Sequence, residues 1–142
     1  MKRIILVLIL ILSFSISLQA QEHKQAKIDG KNLTINVLGR VDSVFFTTEE
    51  ARRVGDQVLL FQRVTGGWPK NVDMVSPLSD EDRQKLARKK GKTDDSTIDN
   101  DATTMQMKYL ARLYKATKED RYRKAFNDGL EFLLSGQYEN GG

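Results

Sequence analysis

Cysteine is absent from this sequence, and histidine occurs once, at His23. The first absence excludes disulfides, thiolate metal sites and cysteine nucleophiles. The second excludes a multi-histidine zinc site. It also argues against a Ser-His-Asp triad, because His23 lies near the N-terminus, far from any other candidate residue. Chemistry on this chain is left to carboxylates, lysine, arginine and tyrosine, or to a hard cation held through oxygen. Hydrophobic residues make up 39% and charged residues 30% of the 142, a globular composition that excludes general disorder and a multi-span membrane protein. The length suits about one domain.

One long apolar run is present, and it sits at the very start. Lys2 and Arg3 precede Ile4 to Leu12, which Phe14, Ile16 and Leu18 extend, and Ala20 offers a small residue before Gln21. This pattern predicts a secretory signal peptide over 1–20. The strongly apolar part falls short of the span of about 20 residues that a membrane helix needs, so an uncleaved anchor is the lesser alternative. No cysteine follows it, which excludes a lipoprotein anchor. The expected location is secreted or periplasmic, with membrane contact only through the signal before cleavage. Lys2 and Arg3 supply two of the positive charges; without them 21 basic face 19 acidic residues, a net +2 in place of +4. A balance that small gives no argument for nucleic-acid binding. Residues 21–46 form a lead-in that is polar over Gln21 to Lys27 and in which Leu33, Ile35 and Val37 alternate with Thr34, Asn36 and Leu38 and suggest a short strand.

From Thr47 the pattern is helical. Thr47 and Glu50 make a T-x-x-E capping box. Ala51, Val54, Val58 and Phe61 follow as an apolar stripe that ends near Val64, and Gly66-Gly67 terminates the helix. Trp68-Pro69-Lys70-Asn71 is then a loop. A surface helix starts after Ser79, with Asp80, Glu81 and Asp82 in its first turn and Arg88, Lys89 and Lys90 in its last, the order that complements the helix dipole. The basic end reads as a solvated helix terminus rather than a polyanion patch. A polar segment holding Asp94, Asp95, Asp99 and Asp101 leads into a long helix over about 102–116, with Met105, Tyr109, Leu113 and Ala116 on one stripe. A break at Thr117-Lys118-Glu119 precedes a helix over 120–136, lined on one face by Tyr122, Ala125, Phe126, Gly129, Leu130, Leu133 and Leu134. These last two form an antiparallel hairpin.

An offset of 75 residues lays Gln137 on Gln62, Leu134 on Leu59, Leu133 on Val58 and Gly141-Gly142 on Gly66-Gly67. Repeated helical units with matched Gly-Gly ends predict an all-α solenoid or closed α/α toroid. Two copies are a small part of a ring, so the chain is expected to be the N-terminal part of a longer protein.

Two strings now carry a family resemblance. One runs from Ala51-Arg52-Arg53 through Leu59-Leu60 and Gln62 to Gly66-Gly67-Trp68-Pro69-Lys70-Asn71. The other is Ser96-Thr97-Ile98-Asp99-Asn100, then Ala102-Thr103-Thr104, Gln106-Met107 and Leu110-Ala111-Arg112-Leu113-Tyr114. With Asp120-Arg121-Tyr122 and Gln137-Tyr138-Glu139-Asn140-Gly141-Gly142, the chain resembles the N-terminal part of a family 10 pectate lyase over about 48–142. Asp101 departs from the small residue expected there. The resemblance implies an α/α toroid, polygalacturonate (pectin) as substrate, and calcium-assisted β-elimination. It implies an arginine base beyond Gly142, hence no catalytic residue within this chain and no activity of the chain alone. Calcium takes oxygen ligands, which suits a chain without cysteine.

The resemblance makes Asp99 the first candidate, for both metal and substrate, with helix capping by Asp99 or Asn100 as the alternative. Asn100, Lys70 and Asn71 are candidate contacts to sugar carboxylate or hydroxyl groups, although Asn71 could instead satisfy turn backbone. Trp68 is carried as a substrate-binding candidate by stacking, while packing beneath its turn is the preferred reading of the ring itself. Asp94, Asp95 and Asp101 lack EF-hand spacing and read as solvated loop acids. Tyr109, Tyr114 and Tyr122 read as core. The rival functions are a non-catalytic carbohydrate- or protein-binding repeat module and another enzyme on the toroid scaffold, including terpene cyclase and prenyltransferase types.

Overall fold

The computed structural model describes Thr34, Ile35 and residues 41–137. The expected signal peptide, most of the lead-in with its suggested strand apart from Thr34 and Ile35, and residues 138–142 with Gly141-Gly142 lie outside the described residues. Among those described there is no strand, and no helix is long and apolar enough to cross a membrane.

The architecture is all-α. A 3-10 helix, Ser43–Thr47, precedes α1 (Glu49–Phe61) and α2 (Asp80–Lys89); a single helical turn, Asp99–Asp101, then precedes α3 (Thr104–Thr117) and α4 (Asp120–Ser135). The 3-10 helix corrects the reading of 21–46 as lead-in throughout. Phe45 and Phe46 are buried there. Phe46 lies 5.2 Å from the Tyr109 ring, and the Arg112 guanidinium sits 4.5 Å above its face. Burying two adjacent aromatics fixes the chain just before α1 and moves the helix cap by one residue. Thr47 instead donates to the Val44 carbonyl at 2.8 Å, while Thr48 accepts from the Ala51 amide at 3.2 Å. Glu50 takes no part in capping. It pairs with Arg53 one turn on, a bond that raises the Arg53 pKa.

Ala51, Val54, Val58 and Phe61 of the expected α1 stripe are all buried, but the helix ends at Phe61, short of Gly66-Gly67, and Val64 is 68% exposed. Ser79 caps α2 by accepting from the Asp82 amide at 3.1 Å, and Leu86 is the helix's one buried residue. Lys118, in the left-handed conformation, stops α3, and only Lys118 and Glu119 separate it from α4. So short a connection folds α4 back along α3. Tyr109, Leu110 and Leu113 of α3 and Tyr122 and Ala125 of α4 are buried with α1. Ala116, expected on the α3 stripe, is exposed in the last turn of the helix. Tyr114 is half-buried rather than core, lying beside the Lys118 and Arg123 cations. Part of the α4 stripe also stays open, with Leu130 at 40% and Leu134 at 54% exposure.

The Gly-Gly turn after α1 has a steric cause. Gly66 has φ +89°, and a Cβ there would lie 2.1 Å from the Asp128 carbonyl oxygen of α4. A Cβ on Gly67 would lie 2.9 Å from the Phe132 ring. The turn is thus pressed directly on the backbone of α4. Gln62 completes the joint, donating to Gly66 O at 2.8 Å and to Ala125 O at 2.9 Å. In the 75-residue register, residues 49–61 map onto 124–136, almost entirely within α4.

Candidate functional site

Two loops meet where α1 ends and α3 begins. The first, 66–71, follows α1. The second, 96–103, precedes α3. Thr97 N–H donates to Trp68 O at 3.1 Å, Trp68 N–H donates to the Thr103 hydroxyl at 3.0 Å, and that hydroxyl donates to Thr97 O at 2.9 Å. Thr65 and Ser96 hydroxyls meet at 2.5 Å at the base of the pair.

Two and three residues beyond Trp68 and Thr97, the side chains pair across the loops. Lys70 Nζ contacts Asp99 Oδ2, and Asn100 Nδ2 donates to Asn71 Oδ1 at 3.2 Å. All four residues are exposed. The Lys70 ammonium holds the Asp99 carboxyl below the usual carboxylate range. Asn71 and Asn100 have φ of 57° and 53°, a left-handed conformation that asparagine tolerates better than most residues. Four of the five sequence candidates, Lys70, Asn71, Asp99 and Asn100, therefore form one cluster. Neither Asp99 nor Asn100 caps the long helix, which starts later, at Thr104.

Trp68 is the exception and corrects the stacking assignment. Its indole is fully buried, donating through Nε1 to Val58 O at 2.8 Å and lying against Gly129, where a Cβ would come within 2.9 Å of the ring. A ring with no exposed face cannot stack on a sugar. It supports the loop from below.

The acids of the second loop differ among themselves. Asp94 and Asp101 are exposed. Asp95 is not a solvated acid: both its oxygens receive the Arg63 guanidinium, at 2.8 and 3.0 Å, and Arg63 is 5% exposed. Arg63 also lowers the Asp95 pKa, chiefly through these hydrogen bonds. Its folded value thus lies below the unfolded value of about 4. The stabilisation is present above the unfolded value and is lost as pH falls through the folded one. Asp95→Ala strands a buried guanidinium and is expected to cost about 3 kcal/mol in urea unfolding at pH 7. The difference from wild type should shrink as the pH is lowered below 4. An unchanged midpoint at pH 7 would show the pair to be idle.

Sequence reasoning missed Thr103 and Arg63. Thr103 lies inside the resembling string, but nothing in its residue type marks a buried hydroxyl between two loops.

A model of the pectic acid lyase family matches residues 62–142, which take in both loops. The chain belongs to the pectic acid lyase family. Among solved structures, the family 10 polysaccharide lyase from Cellvibrio cellulosa is 34% identical over 68% of this chain and 27% of that one, with a TM-score of 0.48. An aspartate-to-alanine mutant of the family 10 lyase from the same organism, in complex with trigalacturonic acid, is 30% identical over 77% of this chain and 32% of that one, with a TM-score of 0.50. This pectic acid lyase family member thus spans about a third of the length of that solved relative. No curated protein matches the chain.

Proposed function

We propose that the Lys70–Asn71 and Asp99–Asn100 loops bind a uronate of polygalacturonate and share a calcium ion with it, as part of a secreted or periplasmic pectate lyase that works by β-elimination. The observation that carries this reading is the exposed Lys70–Asp99 contact beside the Asn71–Asn100 pair. It groups a cation, a carboxylate and two amides on one surface within the family match. The solved relative's complex with trigalacturonic acid supports the substrate class.

The donor chemistry fits calcium, which takes six to eight oxygens. Among the described residues no three acidic or histidine side chains converge on a metal position. Asp99 would supply a carboxylate, with an asparagine carbonyl oxygen beside it, and substrate and water oxygens would complete the shell. Calcium so bound would acidify the proton next to the uronate carboxylate. Lys70 would pair with a second carboxylate of the polymer, and Asn71 and Asn100 would hydrogen-bond hydroxyl groups. The proton-abstracting base is assigned to no residue of this chain.

Titration calorimetry with trigalacturonic acid tests the reading. Binding is expected in calcium and its loss on chelation, with no ultraviolet-absorbing unsaturated product formed by the chain. Absence of calcium-dependent binding would overturn the proposed site. Product formation would show that the base lies within these residues. Binding without calcium would favour a simple carbohydrate-binding module.

A further inference from the structure

We propose that Thr103 is a positioning residue that sets the register of the two site loops; its bearing on substrate rests on the function proposed above. Thr103 has φ 64° and ψ −54°, and Thr104 N–H donates to Ala102 O at 2.7 Å. That is a γ-turn centred on a residue of positive φ, a rare and strained form. For a β-branched side chain positive φ is a true outlier. Such backbone persists only where surrounding contacts over-determine it.

Those contacts are specific. Thr103 is fully buried, and its hydroxyl is used twice, accepting from Trp68 N–H and donating to Thr97 O. With the Thr97-to-Trp68 bond, the three residues close a ring of hydrogen bonds. Trp68 thereby has both backbone groups fixed to the second loop. The paired side chains lie at equal steps from this ring: Lys70 and Asn71 follow Trp68 as Asp99 and Asn100 follow Thr97. A slip of one residue at the ring would separate both pairs at once. The strained turn aims the hydroxyl back at the first loop just before α3 begins, and the Thr103 carbonyl still accepts the Met107 amide at 3.0 Å in the first turn of α3. No hydrogen bond joins Thr103 to the Lys70 or Asp99 side chain, so it acts on them through the backbone it ties together.

Amide hydrogen exchange on the full chain separates positioning from general stability. Thr97 is the informative amide, because its acceptor, Trp68 O, is untouched by substitution at 103. Thr103→Val removes the hydroxyl at nearly constant shape. Thr103→Gly removes it while suiting the positive φ, and keeps the test valid if the valine variant fails to fold. Both are expected to speed Thr97 exchange about tenfold or more relative to Leu110, buried in α3. Both should weaken calcium-dependent trigalacturonate binding by at least about tenfold, the loss of roughly one well-placed interaction. Thr103→Ser should restore both properties. Unchanged Thr97 protection relative to Leu110, or a serine variant as loose as valine, overturns the proposal. Faster Thr97 exchange in a chain whose wild type binds no trigalacturonate supports the clamp and overturns the substrate reading instead.

Discussion

Asp99→Ala is expected to weaken calcium-dependent trigalacturonate binding by about a hundredfold or more, the scale of losing a metal-anchoring carboxylate. The melting temperature should barely move. Asp99 is exposed, its partner Lys70 is exposed, and no helix loses a cap. Exposed ion pairs contribute little to stability. Asp94→Ala serves as the control. Asp94 carries the same charge five residues earlier, pairs with Lys92 at 3.2 Å, and lies outside the cluster. It should leave both binding and melting near wild type. Equal losses in the two variants would reduce the Asp99 effect to diffuse charge. A lower melting point with binding intact would make Asp99 structural and remove it from the site.

Trp68→Ala should produce the largest loss of stability, about 3–5 kcal/mol, as for other buried large-to-small aromatic changes. Three terms combine. The cavity opens between α1 and α4 against Gly129, the Val58 carbonyl loses its indole donor, and the loop above loses its support. Urea midpoints measure the total. The same residue supplies a second readout, being the only tryptophan. Its fluorescence should respond weakly to trigalacturonate, since no face of the ring is open to a sugar. Wild-type stability with lost binding in Trp68→Ala would return the ring to the surface and reverse the packing assignment.

Local signals were legible where one element decides its own structure. The Ser79 cap, the four-residue stripe of α1 and the break at Lys118 depend on near neighbours, and each stands as expected. The cap of α1 was displaced because Thr47 and Thr48 are chemically alike. Only the burial of Phe45 and Phe46 selects between them, and that is a tertiary fact. Asp94 and Asp95 are likewise indistinguishable by type. The partner that separates them, Arg63, lies 32 residues away from Asp95. The candidate cluster was visible only through family strings, because no periodicity links Lys70 to Asp99. Thr103 lies in one of those strings, but its role was not legible there, since it rests on the sign of a backbone angle and on two distant hydrogen bonds.

The segment between the two site loops has a consequence for sequence drift. Residues 72–95 leave the first loop, make α2 and return. Each end is tied to the body independently. Gln57 donates to Met74 O and Ser76 O at 3.1 and 2.9 Å, and Val64 N–H donates to Lys90 O at 2.9 Å. Between these ties only Leu86 is buried within the helix. The excursion is a surface segment, anchored at both feet and held in its middle by Leu86 alone. Exposed segments of this kind absorb insertions and deletions with little thermodynamic penalty. Relatives can therefore lengthen, shorten or recharge α2 while the loops on either side stay in register, and a tag or fused domain grafted into its exposed turns would leave Lys70 and Asp99 facing each other.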